Sequence, residues 1–289
     1  MYNLIAIDLD GTLLNSYGEI TKEDKIALKK QIKKGVEVVL TSGRTISAMQ
    51  NFAEEIGAKN YIISGNGTVI YDMQNEKKIY KKYLSKKKAL EIANICEKNS
   101  MHYNIDTDKS IITKSLNYNT LFYYSENLKK TAEKRTNIEV VPNIISYLKK
   151  LNEPILKITI CDNDEIIFNS IIKKIKKVKN IDVLEVAHMS RKTVRIDDNE
   201  KQIEYYYTEI TTEGADKWEA IKYLSNKMKI PKEKIITIGD NTNDINMIKN
   251  AGLGIAMGNS NLNVKKMAQI ITYDNNHSGV GKIIDIINT

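Results

Sequence analysis

Short, wholly apolar runs alternate with amphipathic stretches through the first and last thirds of the chain. Leu4-Ile5-Ala6-Ile7 is too short for a helix and rich in β-formers, which predicts a strand buried in a parallel sheet. Thr21 to Lys34 predicts a helix, with Thr21 as N-cap and Gly35 as a C-terminal stop. Val36 to Ser42 predicts a second strand, Ile46 to Ile56 a helix, and Tyr61 to Ser64 a third strand running into Gly65-Asn66-Gly67. The last third repeats this grammar. A helix over Lys217 to Met228 stops before Pro231, Lys234 to Ile238 is a strand, and a short helix covers Asp244 to Asn250. Gly254 to Met257 and Ile270 to Tyr273 are further short strands, and Val280 to Ile287 is a final helix. Strands alternating with helices predict a parallel sheet.

The middle of the chain has another rhythm. Lys86 to Lys98 predicts a helix, followed by mixed strands such as Ile111 to Thr113 and Leu156 to Ile160. In Ile166 to Val178, Ile167, Ile171, Ile175 and Val178 recur at helical spacing, so Lys173, Lys174, Lys176 and Lys177 form a solvated face. More strand follows through Val194 to Ile196 and Tyr205 to Tyr207, the latter read as strand surface rather than a binding platform. Without single alternation, this region predicts an α+β domain inserted into another. The expected fold class is therefore α/β: a Rossmann-like, doubly wound parallel-sheet core over 1–84 and 210–289, with an inserted α+β domain over 85–209.

At 289 residues, with 42% hydrophobic and 28% charged positions, the chain has ample length for a core and the composition of a soluble protein. The net charge of +8 raises nucleic-acid binding. The basic residues are mostly lysines spread along the chain, with no arginine cluster, so no nucleic-acid partner is expected. Cys96 and Cys161 have neither metal nor disulfide spacing, which fits a reducing cytoplasm. No leader or membrane span is read at the N-terminus, so no membrane partner is expected. No pattern fixes an oligomeric state.

The chemistry gathers where the predicted strands end. Asp8-Leu9-Asp10-Gly11-Thr12 follows the first strand, and in open α/β sheets this carboxyl edge is where ligands bind. Two carboxylates so close are costly unless a cation offsets them, and a hard divalent ion, Mg²⁺, takes such oxygen ligands. Ser42 ends the second strand, Gly239-Asp240-Asn241-Thr242-Asn243-Asp244 follows a late one, and Lys217 opens the helix before it. Each has a bland reading. The aspartates and Ser42 suit helix N-termini, and Lys217 could be one more surface lysine. Their coincidence at the edge of one sheet favours a site.

The motifs Asp8-Leu9-Asp10-Gly11-Thr12, Thr41-Ser42-Gly43-Arg44, Gly214-Ala215-Asp216-Lys217 and Gly239 to Asp244, in this order, resemble the haloacid dehalogenase-like superfamily in its Cof-type sugar-phosphatase branch. Gly65-Asn66-Gly67 and Gly252 to Asn259 are also similar to that branch, and the inserted domain is placed like its type-2 cap. The resemblance implies Mg²⁺-dependent hydrolysis of a small phosphorylated metabolite through an aspartyl-phosphate on Asp8, with Asp10 as general acid and base. It implies metal ligation by Asp8, the Asp10 carbonyl and Asp240, supported by Asn241 and Asp244. Phosphate donors would be the N–H groups of Leu9 and Gly43, the Ser42 hydroxyl, Asn243 and Lys217. Arg44 and Asn66 are read either as substrate or cap contacts or, equally, as a salt bridge and a turn at positive φ. A phosphotransferase or phosphomutase, or a non-catalytic metabolite-binding module, are the alternative functions. Trp218 stands where the branch usually has glycine, near the expected mouth of the site. Asn275 to Val280 replaces a commonly acidic turn, and Lys192 to Tyr206 makes a longer exit from the cap. His102, His188 and His277 lack ligand spacing.

Overall fold

Leu4–Asp8 forms β1, and every one of its residues is buried, as an apolar strand at the middle of a sheet must be. A computed structural model of the chain describes residues 2–132, 135–184, 190–196 and 199–287. It divides into two units, Met1–Lys81 with Ala215–Thr289, and Lys82–Gly214.

In the first unit β1 is followed by α1 (Lys22–Lys33), β2 (Glu37–Thr41), α2 (Ile46–Ile56), β3 (Tyr61–Ser64), β4 (Val69–Asp72) and β5 (Lys77–Lys81). In the second unit come α3 (Lys86–Lys98), β6 (His102–Thr107), β7 (Ser110–Thr113), α4 (Tyr118–Leu128), β8 (Asn137–Val140), α5 (Ile144–Lys150), β9 (Ile155–Asp162), α6 (Glu165–Ile175), β10 (Ile181–Val183), β11 (Ser190–Ile196) and β12 (Asn199–Thr212). The chain returns to the first unit with α7 (Lys217–Lys227), β13 (Ile235–Gly239), α8 (Ile245–Asn250), β14 (Leu253–Ala256), α9 (Leu262–Met267), β15 (Ile270–Ile271) and α10 (Gly279–Ile287).

The first unit's sheet runs β15-β14-β13-β1-β2-β3-β4-β5. Its strands are parallel from β15 to β3, and β4 and β5 add an antiparallel edge. The singly alternating pattern did not announce that edge, because β5 is half-buried or exposed and carries no apolar run. Leu4 and Ala6 of β1 pack with Ala220, Ile221 and Leu224 of α7 and with Met247 and Ile248 of α8. Period-2 alternation turns Ile5 and Ile7 to the opposite face. Thr21 does cap α1, accepting from Asp24 N.

The second unit is a mixed sheet, β10-β12-β9-β6-β7-β8, with β11 paired to β12. Ile158, Ile160, Tyr103, Ile105 and Ile210 meet α3, α5 and α6 in an apolar core. Three readings are corrected here. Helices α4 and α5 stand where only strands were expected; α5 has seven residues, too few to show a helical period. The lysine-rich helix ends at Ile175. Tyr205 is not strand surface but buried, its ring 5.5 Å from that of Tyr118. The added length at Lys192 to Tyr206 is an antiparallel hairpin, paired from Ser190 with Tyr205 to Ile196 with Asn199.

Candidate active site

Strands β13, β1 and β2 are parallel neighbours and end at one edge of the sheet. The strand order reverses at β1, which opens a crevice outside the carboxyl ends. Asp8 is the last residue of β1 and pairs in register with Thr41, so Ser42 leaves β2 beside it. Gly239 ends β13, so Asp240 leaves on the other side. The fourth contributor is the start of α7, where Asp216 accepts from Glu219 N at 2.9 Å and fixes Lys217 in the first turn.

Lys217 Nζ donates to Asp8 Oδ1 at 2.5 Å and to Asp244 Oδ1 at 2.6 Å. The lysine is 1% exposed and Asp244 fully buried, so this is an ion-paired centre rather than a surface contact. Asp244 Oδ2 accepts from the N–H groups of Asp240 and Asn241, each at 3.0 Å, which ties the β13 loop to the same centre. Asp240 Oδ1 accepts the Thr12 hydroxyl at 2.8 Å. Gly11 permits that approach, since a Cβ there would lie 2.5 Å from Asp240 Oδ2.

Carboxylate oxygens from Asp8, Asp240 and Asp244 lie within 4.8 Å of one another. One ammonium does not balance three carboxylates. Burial pushes the Asp8 carboxyl well above the ordinary range; Lys217 pulls it down, and Asp244 and Asp240 push it further up. Burial works against the charge on Lys217, but Asp244 and Asp8 outweigh it and hold the ammonium above its usual value. Converging oxygens with a surplus of negative charge are the donor set of a hard divalent cation. Neither His102 nor His277 belongs to this cluster: burial lowers His102 to about 4, and exposed His277 pairs with Asp274. His188 lies outside the described residues.

The other expected residues lie on the same loops, with different partners. Asp10 turns its carboxylate to Arg44, whose Nε and Nη2 donate to the two oxygens at 2.9 and 2.7 Å. Arg44 thus makes the salt bridge that was one of its two readings, and its guanidinium lies 5.7 Å from the Phe52 ring centroid. Asn241 uses its side-chain oxygen locally, accepting from Thr242 N at 2.7 Å. Ser42 Oγ accepts from Arg44 N at 3.2 Å, and Gly43 sits half-buried between them. Leu9 is fully buried. Asn243 Nδ2 donates to Asn66 Oδ1 at 3.0 Å, with Asn66 at a φ of 56°. Trp218 is half-buried and packs on the apolar core of its unit. Asn275 donates to Leu14 O at 2.8 Å, bracing the chain beyond Asp10.

Thr12 and Asp216 were not singled out as site residues. Asp216 was legible as an N-cap. The Thr12 hydroxyl finds a partner 228 positions away, which no local pattern reveals.

A profile of the haloacid dehalogenase-like hydrolases matches residues 5–284. Phosphatase YwpJ of Bacillus subtilis (strain 168) is 28% identical over 97% of this chain and 98% of its own. The 5-amino-6-(5-phospho-D-ribitylamino)uracil phosphatase YcsE of the same organism is 30% identical over 97% of this chain and 94% of its own. A solved haloacid dehalogenase-like hydrolase from B. subtilis superimposes with a TM-score of 0.81 at 25% identity, covering 98% of this chain and 99% of that one. With the acid–lysine centre at the switch point of the sheet, these likenesses show that the chain belongs to the haloacid dehalogenase-like hydrolases, in their Cof-type branch, and is a phosphatase.

Proposed function

We propose that the chain hydrolyses small phosphorylated metabolites, sugar phosphates first, with Mg²⁺ and through an aspartyl-phosphate on Asp8. The observation that carries this reading is the buried Lys217 bridging Asp8 and Asp244 beside Asp240. Mg²⁺ would be held by Asp8, Asp240 and the Asp10 carbonyl, with Asp244 and Asn241 in support; it would neutralise Asp8 against an incoming dianion and polarise the phosphoryl group. In the first step an Asp8 oxygen bonds to phosphorus and the bond to the leaving oxygen breaks, while Asp10 gives that oxygen its proton. In the second step Asp10 takes a proton from water, which attacks phosphorus, frees inorganic phosphate and restores Asp8. Lys217 orients Asp8. With the Ser42 hydroxyl, the Leu9 and Gly43 N–H groups and the Asn243 amide, it also meets the charge on the phosphoryl oxygens. The Arg44 fork holds both oxygens of Asp10 and orients it as the base of the second step; to give a proton in the first step Asp10 turns out of that fork.

Residues 85–209 act in this reading as a cap that selects the leaving group. Replacing them by a short linker should flatten the ranking of substrates. Two free, buried cysteines suit a reducing cytoplasm, which cell fractionation would check. Among the described residues no helix is long and apolar enough to cross a membrane. The test of the reaction is phosphate release from a panel of sugar phosphates and 5-amino-6-(5-phospho-D-ribitylamino)uracil, with and without Mg²⁺. No release from any of them with Mg²⁺ present would sink the reading.

A further inference from the structure

The turn Gly65-Asn66-Gly67, between β3 and β4, touches three of the loops that carry the site, and the chemistry above makes no use of it. Its residues take φ values of 60°, 56° and 94°. Glycine adopts this region freely; asparagine does so less readily, and such strain tends to be retained where it serves function. At Asn66 glycine would satisfy the backbone alone, so what asparagine adds is its amide.

The contacts of the turn fall on separate elements. Ser64 Oγ and Gly65 N donate to Arg44 O at 2.7 and 3.2 Å, and Asn66 N donates to Ser42 O at 2.9 Å, bracing the Ser42–Arg44 loop. Gly67 lies against the peptide that leads into α7: a Cβ there would stand 2.0 Å from Asp216 O and 2.8 Å from Lys217 N. Asn66, only 7% exposed, accepts from Asn243 Nδ2 at 3.0 Å. Asn243 Oδ1 is buried without a hydrogen-bond partner among the described residues, so the bond to Asn66 is what orients this amide.

We propose that Asn66 is a positioning residue that acts through Asn243, holding its amide so that the remaining N–H donates to the phosphoryl group. The proposal rests on the phosphate-binding role given to Asn243 above. A donor set preorganised by protein contacts need not reorganise as charge develops, and small misplacements of such groups are costly.

The test is a double-mutant cycle on the full chain. Asn66→Gly keeps the left-handed backbone and removes only the amide. It should leave Tm within a few degrees of wild type, lower kcat/KM by about 10- to 100-fold, and weaken binding of inorganic phosphate measured by calorimetry. Asn243→Ala should do the same. The double variant should be no worse than Asn243→Ala alone, because the first residue works through the second. Wild-type kinetics in Asn66→Gly, multiplicative losses in the double variant, or wild-type activity in Asn243→Ala would each overturn the proposal. Loss of folding in Asn66→Gly would also overturn it, by making the residue structural. A wild type that released no phosphate would instead fail the proposed function, and phosphate binding by Asn66→Gly would still decide the role of Asn66.

Discussion

Among the described residues, each unit buries one lysine against two carboxylates. In the first, Lys217 meets Asp8 and Asp244; in the second, Lys157 meets Glu209 and, at 3.5 Å, Asp106. The ingredients are alike and the geometries are not. Asp106, next to last in β6, and Lys157 of β9 are register partners within the sheet, and Glu209 stands on the neighbouring β12. Asn104 Nδ2 donates to Asp106 Oδ1 at 2.5 Å, so the polar groups answer one another across a sheet face. Burial pushes Asp106 up to about 6, with Lys157 pulling it down and Glu209 pushing it up. The Lys217 centre instead joins strand ends and a helix start, and a third acid, Asp240, converges with it. A buried ion pair is therefore weak grounds for assigning function. The surplus of converging oxygen ligands at the carboxyl edge is what marks a site for chemistry.

Removing the nucleophile should separate the two clusters most sharply. Asp8→Asn should cost on the order of 10⁴-fold in kcat or more, seen in a phosphate-release assay. Next, Mg²⁺ should raise Tm by mass action and EDTA should abolish turnover. Asp240→Asn should lose the Tm response, whereas changes at Lys157 should keep it.

Lys217→Met and Lys157→Met should each destabilise by about 3–5 kcal/mol in chemical denaturation, since each strands buried carboxylates. Adding Asp106→Asn and Glu209→Gln to Lys157→Met should recover much of that loss. Asp8→Asn and Asp244→Asn in a Lys217→Met background should leave the chain inactive whatever its stability.

A smaller effect is expected at Arg44→Lys. It keeps the charge and loses the two-pronged grip on Asp10, so kcat/KM should fall by about 10-fold. The smallest is a pH effect. Raised in the folded state from 3.8 to about 6, Asp106 contributes stability that is fully present below pH 3.8 and lost as pH rises through about 6. The Tm of wild type minus that of Asp106→Asn should therefore decline across this window. A flat difference would show that Asp106 titrates normally.

The first unit was largely legible because its chemistry is local to strand ends. Leu4 to Ile7 followed by Asp8, and Lys234 to Ile238 followed by Gly239 and Asp240, place each carboxylate by the length of an apolar run. The second unit was less so. Lys157 lies within a mostly apolar strand, and its partners come from strands far away in sequence. Helix α4 carries aromatic and polar residues without a clean period, and α5 is too short to show one.

The sequence by itself determined most of the strands and helices of the first unit, though not its β4–β5 edge or α9, together with the acids at the strand ends and the family they belong to, because apolar periodicity and turn chemistry act over a few neighbouring residues. Only the tertiary structure decided which groups meet: Arg44 with Asp10, Asn66 with Asn243, Thr12 with Asp240, and Lys157 with Glu209. Those pairings follow from strand order and from the close approach that glycines at tight turns permit. They join positions too far apart in sequence for any local pattern to record.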